Sequence, residues 1–135
     1  MKKLRNEKGA AAVEFALVVP ILLLLLLGIV EFGRVYNAQM QLTAAARDGA
    51  RVMSINAVPA QAASDARAAV IASASALHPD VTATQVAVSV SPSSTTVCMP
   101  GSTATVTVNY PLQFLSGLFG SSITLTGKGV MQCSA

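Results

Sequence analysis

GAAAVEFALVVPILLLLLLGIV, residues 9–30, is the stretch on which the reading of the whole chain turns. Residues 10–30 contain a single charge, Glu14. Wound as a helix at ~1.5 Å per residue they reach roughly 32 Å, enough to cross a hydrocarbon core of ~30 Å. Lys2, Lys3, Arg5 and Lys8 precede the run, whereas Arg34 alone follows within the next fifteen residues. The positive-inside rule therefore predicts a cytoplasmic N-terminus and a C-terminal region on the far side of the membrane. A cleaved secretory signal would need a shorter apolar region closed by an Ala-x-Ala site. The run instead ends in Gly28-Ile29-Val30-Glu31-Phe32-Gly33-Arg34, and the next small-residue cluster is Ala44-Ala45-Ala46. A retained anchor is the reading that follows.

Composition limits what else the chain could be. Its 135 residues leave room for one modest domain beside the anchor. Apolar residues make up 53% and charged residues only 11%, against ~25% charged in an average soluble domain. The net charge of +3 resides in residues 1–8, and the remainder, with five basic and five acidic side chains, is neutral. No basic face for nucleic acid is predicted. With one His and six scattered carboxylates, neither a metal site nor a catalytic triad is expected, nor is any cofactor or enzymatic activity.

Two residues inside the span need explaining. Pro20 removes an amide donor and predicts a slight kink. Glu14 would cost up to ~2.5–3.5 kcal/mol if ionised deep in a membrane. It could lie shallow, hydrated or protonated. Alternatively, a cut between Gly9 and Ala10 would create an ammonium group four residues from Glu14, on the same helix face. That amine could answer the Glu14 of its own chain or of a neighbouring subunit, cancelling two charges that are costly when unpaired.

A short basic leader ending in Gly9, with Glu14 and Phe15 five and six residues on and an intact apolar helix behind, resembles the processing signal of type IV prepilins. The fuller run GAAAVEFALVVPILLLLLLGIVEFGRVYNAQMQLTAAARDGARV resembles the TadE-like family, the pseudopilins of the tight-adherence (Flp) pilus. The resemblance covers about residues 8–53, and TadF-like and TadG-like proteins share much of it. It implies cleavage after Gly9 by an inner-membrane prepilin peptidase that recognises Gly9 and Glu14, and partnership with other pilins and the tight-adherence machinery. It further implies a part in assembling, priming or tipping an adhesive pilus.

Past the membrane the helical spacing continues through Val35, Leu42, Ala45, Ala46, Gly49, Val52 and Met53, a narrow seam of small residues. Asp48 with Arg51 and Glu31 with Arg34 read as solvated i,i+3 pairs. Asn56-Ala57-Val58-Pro59 predicts a break, with Pro59 opening a second helix that carries Ala62, Ala66, Ala69, Val70, Ser73, Ala76 and Leu77 on one side and ends before His78. His78, beside Pro79 and Asp80, reads as a turn residue.

From Thr84 the period becomes two. Val86, Val88 and Val90 alternate with small polar residues, and Val106, Val108 and Tyr110 alternate with Thr105, Thr107 and Asn109. A Gly/Ser-rich link at residues 116–122 leads to a third strand in which Gly127 and Gly129 hint at a bulge. Pairing Tyr110 with Ile123 places Cys133 opposite residue 100, near Cys98. An intrachain disulfide is then sterically plausible, with free thiols or an interchain bridge as the alternatives.

The expectation is an α+β, pilin-like chain: a long N-terminal transmembrane helix, and a second helix packed on a small three-stranded antiparallel sheet. Residues 1–9 would be the leader, 10–30 the transmembrane helix, 31–57 its extension and 58–135 a periplasmic domain. A rival reading keeps the chain uncut, as a membrane-anchored periplasmic binding or structural domain that never enters a filament.

Overall fold

The computed structural model describes residues 4–56, 59–92 and 96–134. Lys2 and Lys3 of the expected leader, the predicted break at Ala57-Val58 and Ser93-Ser94-Thr95 of the predicted loop lie outside these. Helix α1 runs Leu4–Ile55 and α2 Pro59–Ser73; a 3-10 turn, Ala83–Gln85, leads into strands β1 (Val86–Ser91), β2 (Thr103–Gln113) and β3 (Ser122–Gln132). The fold class is α+β. The chain divides into two units, the first ending at Arg34 and the second beginning at Val35.

In the first unit α1 continues through Pro20 without interruption. Successive residues turn by ~100°, so the six leucines at positions 22–27 point to every side of the helix, and all six are exposed. This stretch has no polar face that would suit it to lie along a water surface.

The second unit is a three-stranded antiparallel sheet, in the order β1-β2-β3, with helix on one face. Alternation sets which face. Along β2, Ala104, Val106, Val108, Tyr110 and Leu112 are buried while Asn109, Pro111 and Gln113 are exposed. From α1 the core receives Ala38, Leu42, Ala45, Ala46 and Ala50; α2 and the turn after it add Val70, Ala74 and Leu77. Each fully buried Leu, Val or Met contributes on the order of 1.5–3 kcal/mol. Tyr110 is fully buried, and its hydroxyl donates to the Pro79 carbonyl at 2.7 Å.

Four expectations are corrected. The β2–β3 register pairs Tyr110 with Leu125, not Ile123. A slip of two residues leaves every side chain on its face, so alternation alone could not exclude it. Secondly, β3 pairs residue for residue from Ser122 to Gln132, with no bulge at its glycines. A Cβ on Gly127 would strike the backbone of Leu42, and one on Gly129 that of Ala46. These glycines are seats for α1, and Gly49 serves likewise against α2, where a Cβ would meet Val70 and the Ala66 carbonyl. Thirdly, α2 ends at Ser73, and Leu77 is brought into the core by a following turn in which its amide donates to the Ala74 carbonyl at 3.0 Å. Ser73 and Ala76 face solvent. Fourthly, the described residues hold no Asp48–Arg51 ion pair; Asp48 instead accepts a hydrogen bond from the Ser73 hydroxyl at 2.7 Å, across to α2.

Candidate functional site

Gly9, Ala10, Glu14 and Phe15 all lie on α1 and all are exposed. Gly9 follows Leu4, Arg5, Asn6, Glu7 and Lys8 within the helix, and no atom beyond its own turn comes within 4 Å of where its side chain would begin. Glycine costs ~1 kcal/mol in a helix relative to alanine, so the backbone at residues 9–10 is a favoured place to unwind locally. Ala10 and Glu14 stand one turn apart on one face, the geometry in which charges at i and i+4 interact. Phe15, beside Glu14, is 69% exposed.

From this point α1 presents an unbroken apolar surface. None of its most apolar eighteen-residue window is buried, and by length and composition the helix is sufficient to cross a membrane. The surface ends at Glu31. Contrary to the solvated reading, Glu31 is buried, 2% exposed, with its carboxylate 3.6 Å from the half-buried Arg34 guanidinium.

Cys98 and Cys133 are joined by a disulfide with Cα atoms 5.5 Å apart. The register explains how they meet: the Cys133 amide donates to the Ser102 carbonyl at 2.9 Å, one ladder step past Gln132. The Met99–Ser102 turn, closed by Ser102 Oγ on the Met99 carbonyl, then brings residue 98 back over the strand end. The bridge is in the second unit, and the Gly9–Glu14 segment is in the first.

Among the described residues, neither unit brings together a recognisable catalytic set. His78 is exposed at a turn, with its Nδ1 3.5 Å from Asp80. A shallow depression beside it, lined by Ile71, Ala72, Ala74, Ser75, Asp80 and Val81, contains one ionisable side chain. Among the described residues no three His, Cys, Asp or Glu side chains gather as a metal centre would require.

A feature that sequence reading passed over is the β2–β3 connection. Read as a Gly/Ser-rich link, it in fact presents Leu115 and Leu118 to solvent at 68% and 59% exposure. The signal available was charge: residues 81–127 contain no Asp, Glu, Lys or Arg.

The architecture is that of an α+β protein with an N-terminal apolar helix fit for membrane anchoring. Residues 9–51 match the family described as TadE-like protein. That segment is about a third of the chain, and over it the chain is similar to TadE-like proteins. No curated protein and no solved structure matches the chain.

Proposed function

We propose that the chain is a minor pilin or pseudopilin of a tight-adherence pilus, cut after Gly9 by a prepilin peptidase and then used to assemble, prime or tip the filament. The observation that carries this reading is the spacing of Gly9, Glu14 and Phe15 at the head of a helix that then exposes Ile21 and all six leucines at 22–27, in a segment that matches the TadE-like family. Before the cut, residues 10–30 hold the chain in the inner membrane, with residues 58–135 on the periplasmic side and the basic leader in the cytoplasm. Cleavage removes all four leader cations and with them the attraction to anionic lipid. It also frees an ammonium group on Ala10, which neutralises Glu14 in its own helix or in a neighbour's. The exposed apolar surface of α1 can then exchange lipid for the helices of other pilins.

N-terminal sequencing of the protein recovered from cells making pili tests this. The expected sequence begins Ala-Ala-Ala-Val-Glu-Phe, from residue 10. An intact Met1 in working pili would remove the processing step. Recovery only with membranes, never with sheared filaments, would favour the uncut anchored domain.

A further inference from the structure

The apolar tip of the β2–β3 hairpin has a definite position within the second unit. β3 seats on α1 through two glycines, Gly127 against Leu42 and Gly129 against Ala46. Two strand residues advance ~6.6 Å and four helix residues ~6 Å, so strand and helix run side by side in the same direction there. Gln39 confirms the alignment by donating from Nε2 to the Thr126 carbonyl at 2.9 Å. Followed backwards from Gly127, β3 climbs ~17 Å to Ser122, whereas α1 needs only ~10 Å to reach Val35. The hairpin tip therefore lies at the end of the unit where the chain enters, and the apolar run of residues 10–30 stops five residues before that entry.

This tip is built rather than loose. Phe114 donates its amide to the Ser121 carbonyl at 3.2 Å, and the Phe114 and Phe119 rings pack 6.4 Å apart. Gly117 and Gly120, at φ of +67° and +111°, make the turns that carry Leu118 outward. Ile123 is partly exposed at the base of the tip, and Tyr36, 70% exposed, lies at the same end on α1. Tyrosine is a residue of the membrane–water boundary. With the nearest charge along the hairpin at Lys128, entry of the tip into lipid would desolvate no ionised group.

We propose that this tip, centred on Leu115 and Leu118, is a second membrane contact: it inserts into the bilayer leaflet on the domain's side while the chain is anchored. The occupant is lipid, because Val35, at this end of the domain and not at the end bearing the disulfide, follows the apolar run of residues 10–30 by only five positions. The proposal rests on the anchor reading of residues 10–30 and is independent of filament assembly.

The chain has no tryptophan, so one introduced indole reports alone. The full chain would be reconstituted in phosphatidylcholine–phosphatidylglycerol vesicles with L118W, L115W or, as a control at the far end, M99W. Flotation with the vesicles checks the anchor first; failure to float overturns the anchor reading and the proposal together. In floated protein, L118W and L115W are expected to emit blue-shifted light and to lose intensity with brominated lipids, while M99W is quenched only by aqueous acrylamide. Floated chains in which L118W and L115W are quenched by acrylamide as fully as M99W overturn the proposal alone. So does protection from both quenchers, which would make the occupant protein, such as a second copy.

Discussion

One helix, α1, is put to opposite uses along its length. In residues 10–30 large aliphatic side chains stand exposed on every side, Leu17 at 69% and Ile29 at 69%. Past Val35, Leu42, Ala45, Ala46, Ala50 and Met53 are wholly buried along one seam. Backbone geometry and apolar character are shared; side-chain size and distribution differ. Leucines all round make a surface that no single sheet can cover, so burial must come from lipid or from other chains. Small residues on one seam allow a sheet to approach until backbone meets backbone, so the same chain completes the burial itself. The glycines record the same contrast. Gly28 and Gly33 have open space where a side chain would go, while Gly49, Gly127 and Gly129 have none.

That contrast breaks most visibly at Gly129. A Val there would drive its Cβ into the Ala46 carbonyl, a backbone atom that cannot turn aside as a side-chain end can. Overpacking usually costs 1–3 kcal/mol and more where nothing yields, so Gly129→Val should destabilise the second unit by about 3 kcal/mol or more. The check is the denaturant midpoint of the full chain in detergent, by circular dichroism. Gly28→Val should leave that midpoint in place. Equal effects of the two would mean the seats are not what separates the regions.

The disulfide comes next. Its partners are 35 positions apart, and closing a loop of that size is worth roughly 3–4 kcal/mol in the unfolded-chain account. Cys98→Ser with Cys133→Ser should lower the midpoint accordingly, and adding reductant to the native chain should reproduce it. An unchanged midpoint would show that the sheet end closes without the bridge.

What sequence alone could convey follows from which interactions are local. The apolar run, the seam from Leu42 to Met53 and the alternation of Val106, Val108 and Tyr110 are periodic, and periodicity states which face is buried. It does not state against what. Gly127 and Gly129 fit a bulge as well as a helix seat because both need the missing Cβ, and only the approach of Leu42 and Ala46 decides. Asp48 has Arg51 three residues on, but its partner Ser73 lies 25 residues away. The Gly9–Glu14 spacing can be proposed from sequence for the opposite reason: the proposed cut and charge pair lie within six residues. The tip at Leu115 and Leu118 was hidden by the glycines and serines around it.

Smaller effects sharpen the comparison within the second unit. Tyr110→Phe keeps the ring in the core and removes the donor to Pro79, leaving that carbonyl without this hydrogen bond. A loss of about 1–2 kcal/mol is expected, against a cavity-sized loss of ~3–5 kcal/mol for truncation of a buried aromatic to alanine. If Tyr110→Phe were as damaging as Tyr110→Ala, the hydroxyl and not the ring would be what holds the turn after α2 to β2.

The smallest expected effect on folding belongs to Glu14, and for that reason it separates the two uses of α1 most cleanly. Glu14 is exposed, lies in the first unit, and has no part in the core of the second. Glu14→Ala should therefore shift the domain's midpoint by less than ~0.5 kcal/mol, the range of ordinary surface substitutions. Insertion should improve if anything, since a carboxylate leaves the apolar stretch. Incorporation into pili should nevertheless fall, because the Ala10 ammonium would enter an apolar assembly with nothing to answer it, and a buried charge without its partner is costly. Comparing membrane and sheared-filament fractions for native and E14A chains reads this directly. Undiminished incorporation, with normal cutting after Gly9, would mean that the outward apolar surface alone drives assembly and that the charge pair contributes nothing to it.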